Sequence, residues 1–199
     1  MGQTEGVVKK RRWWAWIIEL LVVVGIIWGI RAWQQQSLIE GVAPEFQQKT
    51  LDGEIISLSN YRGKPVMVHF WATWCSICAM EQGGISSVVQ HWPVVTIVYD
   101  AASETDVRQY MEKQSIKHWK AIHDPQGELA KLYGVSALPT TFVLDSKGQI
   151  RFHEVGFSSS WGLRARLWLA DTLPNPAAKA TTSSPEPAKP ATASPSQTP

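Results

Sequence analysis

The chain has 199 residues, with 19 Lys or Arg against 17 Asp or Glu and a formal net charge of +2 at neutral pH. That near balance, with basic residues bunched close to the N-terminus rather than spread over a soluble face, excludes a nucleic-acid-binding surface. Two cysteines and five scattered histidines do not make the four-ligand pattern of a structural zinc site. No P-loop, dinucleotide fingerprint, zinc-protease motif or internal repeat is present.

Residues 1–12 end in Lys9-Lys10-Arg11-Arg12, and Trp13 to Ile30 is an apolar run whose single charge is Glu19. Eighteen helical residues rise about 27 Å, close to the roughly 30 Å of a bilayer's hydrocarbon layer. Trp13, Trp14 and Trp16 at one end and Trp28 and Trp33 at the other suit the two interfaces, so residues 13–33 are expected to form a membrane anchor. Basic residues precede the span and only Arg31 closely follows it, which places residues 1–12 in the cytoplasm and the rest of the chain outside it. The expected location is a single-pass protein of the inner membrane with a periplasmic or otherwise extracytoplasmic domain, where disulfides persist. A cleaved signal peptide shares the basic start, but no good small-x-small site follows the run, which exceeds the usual length of about 7 to 15 residues.

Beyond the anchor, 34–43 reads as a polar tether and 44–173 has the size of one small domain. Residues 174–199 are built almost wholly from Pro, Ala, Ser, Thr and Lys with no aromatic, and are expected to be a disordered tail. Within the domain, Ile55 to Leu58 reads as a strand or turn and Val66 to Trp71 as a central strand. Cys75 to Gln90 is expected to be helical and Val94 to Tyr99 a second buried strand. Ser103-Glu104-Thr105-Asp106 has a capping-box pattern that opens a helix to about Lys113, and Glu128 to Tyr133 reads as a short helix stopped by Gly134. Thr140 to Leu144 and Gln149 to Val155 form a predicted hairpin about Asp145-Ser146-Lys147-Gly148, followed by a helix from about Ser159 to Ala170. Apolar runs alternating with helical patterns predict an α/β fold, a mixed sheet covered by helices.

The chemistry concentrates in Trp71-Ala72-Thr73-Trp74-Cys75-Ser76-Ile77-Cys78, at the junction of the central strand and the helix. Backbone N–H groups and the positive end of the helix dipole favour a thiolate at Cys75, lowering a cysteine pKa from about 8.5 into a range of roughly 3.5 to 7.5. Cys75 is then the exposed nucleophile and Cys78, one turn further in, the resolving thiol of a reversible disulfide. Two other readings of the pair remain: a purely structural bridge, which would close too short a loop to stabilise much, and a non-catalytic module holding copper(I) between soft ligands.

The run Phe70-Trp71-Ala72-Thr73-Trp74-Cys75-x-x-Cys78, followed by Val135-Ser136-Ala137-Leu138-Pro139-Thr140-Thr141-Phe142, resembles the thioredoxin superfamily over roughly residues 44–173. Gly63-Lys64-Pro65 and the anchor make it similar to the membrane-anchored TlpA/ResA/DsbE-like branch, and within that branch to ScsD-type protein disulfide oxidoreductases of bacterial envelopes. The resemblance implies a thioredoxin-like fold with a cis bond between Leu138 and Pro139, placed against the cysteines, and substrate recognition by Trp74, Leu138 and Pro139. The alternative, that Pro139 simply begins an edge strand, is the less favoured reading given its position after the redox motif.

Where thioredoxins usually carry a buried aspartate before the motif, this chain has His69. His69 is a candidate for proton transfer to Cys78 or a neutral, hydrogen-bonded core residue. Glu81, one turn past Cys78, is a second proton-transfer candidate or a complement to the helix dipole, and Asp100 is a third of the same kind. The expected activity is thiol-disulfide exchange on protein cysteines without a cofactor or metal. Reduction is the preferred direction, an integral-membrane electron donor of the DsbD kind is the implied partner, and a DsbA-like oxidase is the enzymatic alternative.

Overall fold

The computed structural model describes residues 5–35 and 38–172; the predicted tail, 174–199, lies outside the described residues. The first element, α1 (Glu5–Gln35), is one helix that contains the whole apolar run, and its described side chains from Ile18 to Ile27 are mostly exposed. Taking the described side chains alone, no helix is long and apolar enough to cross a membrane. Ala15 and Trp28, which fall within the run, are not among them.

The remaining strands and α-helices are β1 (Gln47–Lys49), β2 (Ile55–Ser57), β3 (Val66–Trp71), α2 (Ser76–Val89), β4 (Val94–Val98), α3 (Glu104–Lys113), β5 (Lys120–His123), α4 (Glu128–Leu132), β6 (Thr140–Leu144), β7 (Ile150–Val155) and α5 (Ser160–Thr172), with a short 3-10 turn at Leu58–Tyr61. Five strands form one mixed sheet in the order β5-β4-β3-β6-β7. β4 runs parallel to both β3 and β5, whereas β6 is antiparallel to β3 and β7. This is the α/β architecture expected from the alternating pattern.

Strand β3 is central and buried along its whole length, which is why Val66-Met67-Val68-His69-Phe70-Trp71 reads as a nearly continuous apolar run. Its period of two separates the residues into two cores. Met67 and Trp71 pack with Ile85 and Val88 of α2, Val107 and Met111 of α3, and Leu163 and Leu167 of α5. Val66, Val68 and Phe70 pack with Leu129 of α4, Tyr133 and Phe142. Each large apolar side chain so buried contributes about 1.5–3 kcal/mol. His69 shares the register of Met67 and Trp71, so the sheet places a polar ring on the face that carries α2.

Leu38 and Ala43 are buried in the second core, and the N–H of Ala43 donates to the carbonyl of Gly148 at 3.0 Å. The packed part of the chain therefore begins ahead of Pro44. Strands β1 and β5 have no counterpart in the predicted elements. Gln47-Gln48-Lys49 is polar and wholly exposed, and Lys120-Ala121-Ile122-His123 is a four-residue edge strand, so neither carries a clear apolar period. The hairpin turn forms as predicted, with Gly148 at φ 74°, where an added Cβ would collide with the Arg62 guanidinium.

Candidate active site

Strand β3 ends at Trp71, and the chain turns through Ala72, Thr73 and Trp74 to deliver Cys75 as the N-cap of α2. The N–H of Cys75 donates to the Ala72 carbonyl at 3.3 Å, and Cys75 Sγ accepts the N–H of Cys78 at 3.2 Å. The sulfur nucleophile thus occupies the capping position, where the free donors of the first helical turn stabilise negative charge. Cys75 and Cys78 are joined in a disulfide with their Cα atoms 5.2 Å apart. Cys75 is 7% exposed and Cys78 2% exposed. In this oxidised form Cys75 is the more accessible sulfur but is largely covered, not the open thiol expected from its helix-end position.

The bond between Leu138 and Pro139 is cis. Leu138 packs against the apolar cluster that includes Cys75 and Cys78, so the loop before β6 and the helix start share one site. The carbonyl of Pro139 accepts the N–H of Gly156 at 2.8 Å, and the Ala137 carbonyl accepts the Thr140 hydroxyl at 2.7 Å. Trp74, beside the nucleophile, is among the most exposed large side chains of the domain.

Beneath the disulfide the structure joins two predicted residues that sequence spacing did not connect. His69 Nε2 lies 3.5 Å from Glu81 Oε1, both side chains being inaccessible to solvent. His69 Nδ1 is 3.0 Å from the Thr141 hydroxyl on the neighbouring strand β6, and burial lowers the imidazole pKa to about 3. His69 is therefore neutral at physiological pH. Glu81 Oε2 accepts the N–H of Ser158 at 3.0 Å, while Oε1 has no hydrogen-bond partner. Burial pushes the Glu81 pKa up to about 7, with the Ser158 N–H pulling the other way. Glu81 lies beyond the first turn of α2 and is buried, so it does not serve as a surface complement to the helix dipole; it is a carboxyl group poised to exchange a proton near neutrality.

Asp100 differs in role from the proton carrier its position suggested. Its carboxylate accepts the Thr73 N–H at 2.9 Å, the Thr73 hydroxyl, and the Ala102 N–H at 3.0 Å. Burial raises its pKa, but these hydrogen bonds outweigh that and hold it below the usual carboxylate value. Asp100 thus anchors the loop that carries Trp74 and Cys75, and His123 Nε2 braces it through the Asp100 carbonyl at 2.9 Å. Thr73, Thr141, Gly156 and Ser158 escaped sequence reasoning because each acts through a backbone group or a lone hydroxyl brought in from a distant element. Among the described residues, no group of three or more His, Cys, Asp or Glu is arranged to hold a metal ion.

The AhpC/TSA family matches residues 39–153, which include both cysteines and the Leu138–Pro139 bond. The chain belongs to this thioredoxin-like family. The thiol-disulfide oxidoreductase ResA of Bacillus thuringiensis is 33% identical over 152 residues, covering 71% of this chain and 87% of its own. The thiol:disulfide interchange protein DsbE of Xylella fastidiosa is 31% identical over 134 residues, covering 64% of this chain and 68% of its own. Among solved structures, StoA of Bacillus subtilis superposes with a TM-score of 0.56 at 27% identity, over 63% of this chain and 97% of its own. The exposed lipoprotein thioredoxin of Streptococcus pneumoniae gives 0.58 at 28% identity, over 63% and 98%. The thioredoxin-like fold read from the cysteine motif and the cis-proline loop is thereby confirmed.

Proposed function

We propose that this thiol-disulfide oxidoreductase is tethered to the cytoplasmic membrane by α1 and reduces selected protein disulfides on the outer side. The observation that carries the chemistry is the Cys75–Cys78 disulfide at the start of α2, in one apolar cluster with the residue before the cis-proline. In the reduced enzyme the Cys75 thiolate attacks one sulfur of a substrate disulfide, forming a mixed disulfide and releasing the first substrate thiolate. Cys78 then loses its proton and attacks Cys75 Sγ. The second substrate thiolate leaves, the Cys75–Cys78 bond forms, and two electrons have passed to the substrate. Glu81, on the same helix at the i,i+3 position from Cys78, is the proton acceptor for that second step; the Ser158 N–H holds its carboxyl group, and neutral His69 faces the other oxygen at 3.5 Å.

Trp74, Leu138 and Pro139 form the substrate side of the site. Among the described residues no hydrogen bond engages the Leu138 N–H or C=O, which suits pairing with an extended substrate segment. The reducing direction rests on the resemblance to the TlpA/ResA/DsbE-like branch, and an integral-membrane dithiol donor of the DsbD kind would return the enzyme to its reduced form. The tether is supported by the 31 residues of α1, about 46 Å at 1.5 Å per residue, and by the exposed apolar side chains along it. A reporter fused after Gln36 is expected to be active only outside the cytoplasm, and the full chain should stay with membranes through a high-salt wash. A mature protein lacking the residues before Trp33 would refute the anchor.

A further inference from the structure

We propose that an uncharged apolar strip beside the disulfide, formed by Ile77 and Met80 of α2 and Trp161 of α5, docks the enzyme's cysteine-bearing polypeptide partner. It would do so by gripping a bulky apolar side chain a few residues from the partner's reacting thiol. This rests on the oxidoreductase reading and adds the chemistry of the partner to it.

Ile77, Met80 and Gly84 follow the i, i+3, i+7 spacing that puts them on one face of α2. A Cβ added at Gly84 would lie 3.5 Å from Ser160 Cβ, so the start of α5 rests against that same face, and Trp161 is the next residue. The three side chains are open to solvent, Ile77 at 44%, Met80 at 74% and Trp161 at 84%. Of the fourteen residues of α2 the single charged one is Glu81, and it is buried; the Arg164 guanidinium of α5 meets this face further from the disulfide, donating to the Ser87 carbonyl at 3.0 Å. Large exposed apolar side chains without interspersed charge mark interaction surfaces, and Trp and Met are enriched at their centres.

The strip is also held in register with the disulfide. The Gly156 N–H bonds the Pro139 carbonyl and the Ser158 N–H bonds the Glu81 carboxylate, which ties the segment leading into α5 to both halves of the active site. From Ile77 to Gly84 the helix rises about 10 Å, a distance that an extended chain covers in about three to five residues.

Continuity with the redox site selects the occupant. Because the strip begins beside Cys75, an isologous pairing of two copies over it would cover both disulfides. An anionic lipid surface is recognised by free Lys and Arg, which α2 lacks, while in α5 Arg164 donates to the Ser87 carbonyl and Arg166 is paired with Glu154. A polypeptide that brings its own thiol to Cys75 satisfies both the position and the absence of charge.

The test uses the oxidised full-length chain and two reduced peptides with paired cysteines, identical except at the fourth residue to either side of the cysteines. One carries Leu and Trp there, the other Ser and Asn; dithiothreitol sets the reference rate. Each exchange oxidises the peptide dithiol to a disulfide and reduces the Cys75–Cys78 bond. The apolar peptide should reduce the wild-type chain at least about tenfold faster than the polar one, and Trp161→Ala combined with Met80→Ser should cut that preference to about twofold or less. Both side chains are exposed, so the variant keeps its fold, which its thermal transition checks. Equal rates for the two peptides with the wild type, or a preference that survives both substitutions, would overturn the proposal. Self-association of the oxidised chain that Trp161→Ala abolishes, or quenching of its fluorescence by brominated lipid that the same substitution removes, would assign the strip to a second copy or to the bilayer and overturn it as well. If neither peptide reacts while dithiothreitol does, the oxidoreductase reading itself falls, and this proposal with it.

Discussion

Asp100 and Glu81 are both buried carboxyl groups attached to the redox loop and helix, yet their surroundings drive them in opposite directions. Asp100 accepts hydrogen bonds from Thr73 and Ala102 at both oxygens and is held in its charged form. Glu81 has one donor, the Ser158 N–H, and an oxygen facing a neutral histidine at 3.5 Å, and burial lifts it to about 7. Shallower burial and more donors keep Asp100 charged, whereas deeper burial with one donor lifts Glu81. Asp100 braces the loop in front of Cys75, and Glu81 is the group proposed to take the proton from Cys78.

The sharpest break in that division comes from the sulfurs themselves. Cys75→Ser should abolish exchange without trapping substrate, whereas Cys78→Ser should accumulate mixed disulfides through Cys75, read on non-reducing gels. Equal trapping by both variants would reverse the assignment of attacking and resolving thiols. Next in size, Glu81→Gln should slow turnover by about a hundredfold near neutral pH and remove the step near pH 7 from the rate profile, while Asp100→Asn should leave that step in place.

Stability should separate the two carboxyls by sign. The folded-state pKa of Glu81 is raised from 4.5 to about 7. Its contribution is therefore complete below pH 4.5 and is lost as pH rises to about 7, a decline on the order of 3 kcal/mol that Glu81→Gln should flatten in urea titrations. The Asp100 pKa is lowered, so its contribution is present above the unfolded value and disappears as pH falls through the folded one; Asp100→Ala should lose about 1–3 kcal/mol at pH 7 by stranding the Thr73 and Ala102 donors. The smallest effect is expected at Trp74, where an exposed side chain replaced by Ser should shift stability by no more than about 0.5 kcal/mol while raising the KM for protein substrates.

Much of the scaffold was legible because its signals are local. The apolar run Val66 to Trp71, the cysteine pair at a helix start, the Ser103 cap, which accepts the Asp106 N–H at 3.2 Å, and Gly134 ending α4 are each set by residues within a turn of one another. The site was legible only in part. His69 and Glu81 could be named from position and residue type, but their meeting depends on a strand residue and a helix residue twelve apart packing across the sheet face. Asp100 reaching Thr73 and Ser158 reaching Glu81 are long-range closures with no periodic trace. Strands β1 and β5 went unread because polar edge strands are defined by their partners rather than by their own sequence.

In the proposed function the site reduces protein disulfides outside the membrane. The equilibrium redox potential of the Cys75–Cys78 pair in glutathione buffers, measured on the full-length chain together with the thiol state trapped in cells, tests it most directly. A reductase should show a potential nearer to about −270 mV than to about −120 mV and a pair trapped mainly as dithiol. A potential near the upper value, with the pair trapped as the disulfide, would contradict it and make the enzyme an oxidant.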